Sequence, residues 1–167
     1  MIDLKSFTAF LEKNFQFICG VPCTYFKDLL SYLENQKSKV KLKHVFTTRE
    51  DEAVGIASGV AFSGKQTVLY MQNSGLGTIG DALTSLVQLY KLSMLLLISY
   101  RGLEPDRNFP EHSLMGDVTE AVLKAYNLPF LVLSEDKWMD DITQMIKLME
   151  KTLSPVALLI KKGVLSE

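Results

Sequence analysis

The sequence predicts a doubly wound α/β domain, in which a mainly parallel sheet of six strands carries helices on both faces. Short apolar runs alternate with longer amphipathic ones along the 167 residues. The short runs are almost continuously apolar, which is typical of parallel strands that are covered on both faces. No internal repeat or low-complexity linker divides the chain, so we expect one domain over residues 1–167.

The order of these runs predicts the individual elements. The strand candidates, rich in Val, Ile, Leu and Phe, are Phe15–Cys19, Lys43–Thr47, Thr67–Met71, Met94–Ser99, Phe130–Leu133 and Val156–Ile160. The helix candidates run from the capping residue Asp3 to about Lys13, and over about 24–35, 50–62, 77–89, 116–126 and 137–151. Between Tyr100 and Met115 we expect an irregular loop, and a loop of that length is usually functional or mobile.

Composition excludes several classes of protein. The chain has 18 Lys and Arg against 19 Asp and Glu, and it lacks the basic surface of a nucleic-acid-binding protein. Its longest apolar run, Met94–Ile98, is too short to cross a bilayer, and Met1–Asn14 lacks the pattern of a signal peptide. Cys19 and Cys23 have no second Cys or His pair beside them, so we expect no metal site, no disulfide and a cytoplasmic location.

Polar segments follow four of the predicted strands. They are Gly20–Thr24, Thr47–Glu50, Gln72–Gly77 and Ser99–Gly102. In open α/β sheets, ligands bind outside the carboxyl ends of the strands. The sequence therefore predicts a site where these four segments converge, although the pattern does not name the ligand.

Two of these segments have competing interpretations. Thr47 and Glu50 match a capping box, in which Glu50 serves only the helix N-terminus, but Glu50 could equally bind a heterocycle nitrogen. The local pattern alone favours the cap. Gln72–Gly77 could bring backbone amides close to a ligand, or it could be a plain turn capped by Asn73 or Ser74. It matches neither the dinucleotide-binding pattern nor a P-loop.

Four single residues are also ambiguous. His44 begins a predicted strand and is more typical of a structural histidine, whereas His112 lies in the predicted loop, where most histidines are simply exposed. Arg101 could hold an anion or lie on the surface. Cys23 is either a reactive thiol or a small packing residue.

Four stretches, taken in order, resemble a known family. They are Gly20–Cys23, Arg49–Gly59, Tyr70–Gly77 and Leu95–Gly102. Together they resemble the thiamine-diphosphate (TPP) dependent 2-oxo acid decarboxylases, in particular the alpha subunits of sulfopyruvate decarboxylase and the N-terminal half of phosphonopyruvate decarboxylase. The resemblance extends from about Phe15 to Pro129 and implies the fold of the TPP pyrimidine-binding domain.

The resemblance implies roles for the residues in these stretches. Glu50 matches the glutamate that hydrogen-bonds N1′ of the aminopyrimidine ring and so promotes loss of the C2 proton of the thiazolium. His112 matches a loop histidine near the substrate, and we expect Glu50 and His112 to be catalytic. We assign Pro22, Glu50, Gln72, Asn73, Ser74 and Gly75 to the cofactor, and Cys23, Arg101 and His112 to the substrate.

The resemblance also implies a partner chain. In this family a second domain holds the diphosphate and Mg²⁺ through a G-D-G…N-N motif. This sequence contains no such motif, and Gly80-Asp81-Ala82 lacks the pattern. We therefore expect TPP to be shared with a separate beta subunit that carries the diphosphate-binding domain and Mg²⁺, with contacts between like chains inside a hetero-oligomer.

The identity of the substrate is less constrained. Cys23 after Val21-Pro22 favours the sulfopyruvate branch, because the phosphonopyruvate branch tends to have Asp there. The expected reaction converts sulfopyruvate to sulfoacetaldehyde and CO2, which would place the chain in coenzyme M biosynthesis. Three alternatives remain open: a phosphonopyruvate decarboxylase subunit, a noncatalytic α/β regulatory subunit, and a stand-alone nucleotide binder that the missing G-x-G-x-x-G disfavours.

Overall fold

A computed structural model gives the fold for residues 1–36, 39, 41–104, 107 and 109–165. The strands lie within two residues of their predicted bounds. They are β1 (Phe17–Gly20), β2 (Lys43–Phe46), β3 (Thr67–Gln72), β4 (Leu95–Ser99), β5 (Phe130–Val132) and β6 (Val156–Ile160). They form one sheet in the order β2-β1-β3-β4-β6-β5, and every pair of neighbours is parallel. The predicted fold class is confirmed.

Helices connect the strands. They are α1 (Leu4–Asn14), α2 (Lys27–Asn35), α3 (Glu50–Phe62), α4 (Gly80–Ala82), α5 (Pro110–Ala125) and α6 (Trp138–Thr152). Two 3₁₀ turns cover Thr24–Phe26 and Asn73–Gly77, and α4 continues as a π-helix over Leu83–Gln88. Asp3 caps α1 as predicted, because its Oδ2 accepts a hydrogen bond of 2.8 Å from the Ser6 backbone N–H. No helix in the described part of the chain is long and apolar enough to span a bilayer.

Three helix starts differ from the prediction by three residues or more. The helix expected from Thr24 begins at Lys27, after a 3₁₀ turn. The helix expected from Gly77 begins at Gly80, after the second 3₁₀ turn. The helix expected from Gly116 begins six residues earlier, at Pro110, so much of the predicted loop is helical. Proline suits a first helical position because it lacks the N–H that a helix N-terminus leaves unpaired. Residues 105, 106 and 108 of the predicted loop lie outside the described residues.

Apolar packing covers both faces of the sheet. Successive residues of β4 alternate between two cores: Leu95 and Leu97 face one, and Leu96 and Ile98 face the other. The first core also holds side chains of α1, α2 and α6, and the second holds those of α3 and α5. This arrangement explains why the strands read as continuous apolar runs.

The strand order creates a crevice between β1 and β3. From β1 the chain passes outward to β2, and it then returns to β3 on the other side of β1. Ligands of such sheets bind at the carboxyl ends of the two strands where the order reverses. Gly20 ends β1 there, and a Cβ at this position would lie 1.9 Å from the backbone oxygen of Tyr70 in β3. Only glycine therefore allows the two strand ends to approach so closely.

Candidate active site

Glu50 is the first residue of α3, and its carboxylate does not cap that helix. The N-cap position belongs to Arg49. The carboxylate that bonds the backbone just before the helix is that of Glu52, which accepts hydrogen bonds from the Thr48 backbone N–H (2.9 Å) and hydroxyl (3.0 Å). These bonds, the backbone one first, hold the pKa of Glu52 below its ordinary value. The predicted Thr47–Glu50 capping box is wrong, because the helix begins two residues later than that pattern requires.

The carboxylate of Glu50 is available to bind a ligand. Its residue is half-buried, and among the described residues it makes no hydrogen bond. Position in the first turn of a helix favours a negative charge. A half-buried carboxylate with no internal partner is suited to bind a nitrogen heterocycle.

The 3₁₀ turn Asn73–Gly77, here called the glycine turn, lies directly against Glu50. A Cβ added to Gly75 would lie 2.6 Å from Glu50 Cγ and 2.9 Å from Glu50 Cδ. At Gly77, by contrast, an added Cβ would meet nothing within 4 Å. The structure therefore brings together two of the segments predicted to form the site. The interpretation of this turn as one capped by Asn73 or Ser74 is wrong, since no side chain caps it.

Polar side chains connect the ends of β1, β3 and β4. The Cys23 Sγ lies 3.1 Å from the Ser99 Oγ and 4.0 Å from the Gln72 Oε1. Gln72 Nε2 in turn donates to the Ser74 hydroxyl at 2.8 Å. Cys23 and Ser99 are both buried. The sequence indicated Ser99 only as the start of a polar segment, and its contact with Cys23 had no sequence signal beyond that position.

Arg101 joins the end of β4 to the turn after β1. Its guanidinium Nη2 donates to the Thr24 hydroxyl, and its Cζ lies 4.7 Å from the centre of the Tyr25 ring. Arg107 has a different environment, because its guanidinium pairs with Asp117 of α5 at 3.0 Å. Arg101, unlike Arg107, thus reaches across the strand ends from β4 to the turn after β1.

His112 lies in the first turn of α5, so its predicted placement in a loop is wrong. Its ring packs 5.6 Å from the Phe109 ring, between centroids. The His112 Nδ1 is buried and has no hydrogen-bond partner within the described ranges. Phe109-Pro110 was the available signal for this helix start, because proline is favoured at the first helical position.

Three further features concern His44, Cys19 and Pro22: the first two side chains are packed in the interior, and Pro22 lines a cavity. His44 is almost fully buried, with Nδ1 2.8 Å from Glu34 Oε1 and Nε2 2.8 Å from Tyr70 Oη, which confirms its structural interpretation. Burial raises the pKa of the Cys19 thiol to about 12, so this thiol is a packing group. Pro22 and Cys23 line a cavity of about 570 Å³ that extends along α2.

Comparison with known proteins identifies the family. Residues 5–110 match the model of the thiamine pyrophosphate enzyme, N-terminal TPP binding domain. The chain belongs to this family. Thiamine diphosphate is therefore its cofactor. The free carboxylate of Glu50 and the close backbone of the glycine turn fit an aminopyrimidine ring. Glu50 and the whole glycine turn lie inside the matched range.

Relatives within the TPP enzyme family show which class of TPP enzyme the chain belongs to. The chain is 35% identical to the sulfopyruvate decarboxylase subunit alpha of Methanocaldococcus jannaschii, over 94% of this chain and 91% of that protein. It is 34% identical to the one from Methanococcus maripaludis, over 84% and 80%. The phosphonopyruvate decarboxylase of Streptomyces viridochromogenes is 30% identical over 64% of this chain and 26% of that protein. The chain is a subunit of a TPP-dependent decarboxylase.

Solved structures support the fold. The TPP-dependent 4-hydroxybenzoylformate decarboxylase of Rhodococcus jostii RHA1 aligns with a TM-score of 0.74 at 14% identity. The 2-oxoglutarate:ferredoxin oxidoreductase of Magnetococcus marinus aligns with a TM-score of 0.71 at 16% identity. The alignments cover 99% and 98% of this chain, which spans 31% and 29% of those longer chains.

Proposed function

We propose that this TPP enzyme chain forms the pyrimidine side of a cofactor site that is completed by a beta subunit, and that the assembled enzyme decarboxylates sulfopyruvate to sulfoacetaldehyde and CO2. The observation that carries the proposal is the contact between Glu50 and Gly75 at the carboxyl end of the sheet. The alignment with alpha subunits over most of their length supports the same division between two chains.

Glu50 is proposed to hold a proton at the ring nitrogen of the aminopyrimidine. Its carboxylate has no hydrogen bond to another described residue, so binding of the ring breaks no internal contact. Gly75 allows the backbone to pass close to this carboxylate, and Gln72 and Ser74 are proposed to continue the same wall. Asn73 is proposed to contribute only its backbone to this wall, because its side chain is fully buried. When bound, TPP supplies the electron sink for the bonding pair that CO2 leaves behind.

The diphosphate and Mg²⁺ are proposed to lie on the partner chain. The sequence has no G-D-G…N-N motif. The phosphonopyruvate decarboxylases that it matches are about four times as long as the matched region, since the match spans 25% or 26% of each. These lengths are expected if the present chain corresponds to one domain of those proteins. Contacts between like chains inside a hetero-oligomer remain part of the proposal.

The substrate is proposed to be a 2-oxo acid with a second anion at C3. Arg101 lies at the end of β4 and reaches the turn that follows Cys23, so its guanidinium is placed to bind a sulfonate or phosphonate. The Cys23–Ser99 pair lies beside it at the same strand ends. His112, whose Nδ1 is buried without a partner in the described structure, is proposed to contact the reacting group of the substrate.

We expect the enzyme reconstituted with its beta subunit to prefer sulfopyruvate over pyruvate by about 100-fold or more in kcat/KM. A site built to pair an anion leaves its donors unsatisfied when that anion is missing. The measurement compares sulfopyruvate, phosphonopyruvate and pyruvate under the same conditions. Arg101→Met should reduce the preference mainly through a higher KM for sulfopyruvate. A preference for pyruvate would contradict the substrate class, and one for phosphonopyruvate would contradict the branch.

A further inference from the structure

Thr119 joins the glycine turn to helix α5. It is fully buried, and its hydroxyl accepts a hydrogen bond of 2.8 Å from Asn73 Nδ2. The same hydroxyl donates to the Met115 backbone oxygen, one helical turn earlier, at 2.6 Å. Asn73, also fully buried, donates from Nδ2 to the Arg101 backbone oxygen at 2.9 Å as well. The glycine turn, helix α5 and the backbone after β4 therefore meet at the buried pair Asn73 and Thr119.

The face of α5 that carries Thr119 also carries His112. Residues 112, 116 and 119 follow helical spacing, so they lie along one stripe. Gly116 packs against Gly102, where φ is +88°, and a Cβ on Gly116 would lie 2.8 Å from the Gly102 Cα. A Cβ on Gly102 would lie 2.0 Å from the His112 backbone oxygen. The stripe thus sits directly on the backbone at the end of β4, and there is no room for the helix to approach further.

The glycine turn is held between Glu50 and the α5 stripe. Gly75 lies against the Glu50 side chain, and Asn73, two residues earlier, is bonded to Thr119. A shift of α5 along its axis by one residue would displace His112 by about 1.5 Å. Displacements of about 1 Å can cost about 100-fold in rate. The Asn73–Thr119 contact fixes the helix against such a shift.

We propose that Thr119 is a positioning residue, which acts through Asn73 to hold His112 at a fixed place relative to Glu50. This inference rests on the proposed role of His112 at the substrate. Thr119 itself touches neither substrate nor cofactor. Removing its hydroxyl would leave one Asn73 N–H donor buried without an acceptor. Because a buried unpaired donor costs free energy, Asn73 and α5 would shift away from their native positions.

The test uses Thr119→Val in the complex with the beta subunit. Its kcat/KM for the 2-oxo acid should fall by about 10-fold, with TPP binding unchanged. Thr119→Ser, which keeps the hydroxyl, should restore the wild-type value. Tyr126→Phe is the matched control, because the hydroxyl of Tyr126, the residue that follows α5, donates a 3.1 Å hydrogen bond to the Leu76 backbone oxygen in the glycine turn. That variant should keep the wild-type kcat/KM.

A double-mutant comparison separates positioning from general stability. In a His112→Ala background, Thr119→Val should cause no further loss of kcat/KM, whereas an equal loss in both backgrounds would overturn the inference. Wild-type kcat/KM in Thr119→Val would overturn it as well. If Thr119→Val does not fold, Thr119→Ala takes its place in the same comparison.

Histidine NMR tests the positioning independently of activity. The chain contains only two histidines, so His112→Ala assigns both ring signals. Thr119→Val should move the ring resonances of His112 but not those of His44, and Thr119→Ser should move neither. Unchanged His112 resonances would overturn the positioning role. If His112→Ala is fully active, and Thr119→Val made in the chain that retains His112 still moves the His112 resonances, the proposed substrate role of His112 is contradicted and the positioning contact stands.

Discussion

Glu50→Gln should lower kcat of the assembled decarboxylase by about 10²- to 10⁴-fold, the range expected for loss of an acid–base group. The amide has the shape of the carboxylate but cannot exchange a proton with the cofactor ring in the same way. The fold should be unaffected, because Glu50 neither caps α3 nor bonds another described residue. Steady-state kinetics and thermal unfolding of the variant measure the two effects separately.

Glu52→Gln is the matched control for this experiment. Glu52 lies two residues further along the same helix, and it is the carboxylate that bonds the Thr48 N–H and hydroxyl. The Glu52 variant should retain close to the wild-type rate. If Glu50→Gln also retained it, Glu50 would have no catalytic role.

Gly75→Ala should lower kcat/KM by about 100-fold with little change in stability. The new methyl group would lie 2.6 Å from Glu50 Cγ, a separation that real Cβ contacts do not show, so the Glu50 side chain must move. This side chain is flexible and half-buried, and its movement is cheap for the fold. The carboxylate would nevertheless leave the position that the cofactor ring requires.

Gly77→Ala controls for any general effect of alanine in the glycine turn. Its added Cβ has open space around it, and Gly77 is exposed. This variant should keep wild-type kinetics. If Gly75→Ala and Gly77→Ala lost kcat/KM equally, the cause would be the backbone of the turn and not the position of Glu50. A fully active Gly75→Ala enzyme would show that Glu50 need not occupy its observed position.

The sheet could be predicted from the sequence because its signals are local. Strands covered on both faces must be apolar along their whole length, and Leu95–Ser99 shows this pattern directly. The parallel order follows from the alternation of strands with helices. The carboxyl ends of the strands are where ligands of such sheets bind, and the contact of Glu50 with Gly75 lies at these ends.

The details of the site were less predictable, because they depend on where helices begin. Thr47 and Glu50 have the spacing of a capping box, yet α3 starts at Glu50, and it is Glu52 that accepts the hydrogen bond of the Thr48 backbone N–H. The sequence predicts His112 in a loop, whereas α5 begins two residues earlier, at Pro110. The Asn73–Thr119 bond joins residues 46 apart in sequence, and no local pattern encodes such a contact.

The most direct test of the shared cofactor site measures TPP binding and decarboxylation by this chain alone and after addition of a chain that carries the G-D-G…N-N motif. Calorimetry in the presence of Mg²⁺ and a CO2-release assay provide the two readouts. The chain alone should bind TPP weakly and show no turnover, because it lacks that motif. Tight binding and turnover should appear together when the partner is added. Robust decarboxylation by the purified chain, free of any second polypeptide, would contradict the proposal that two chains share the site.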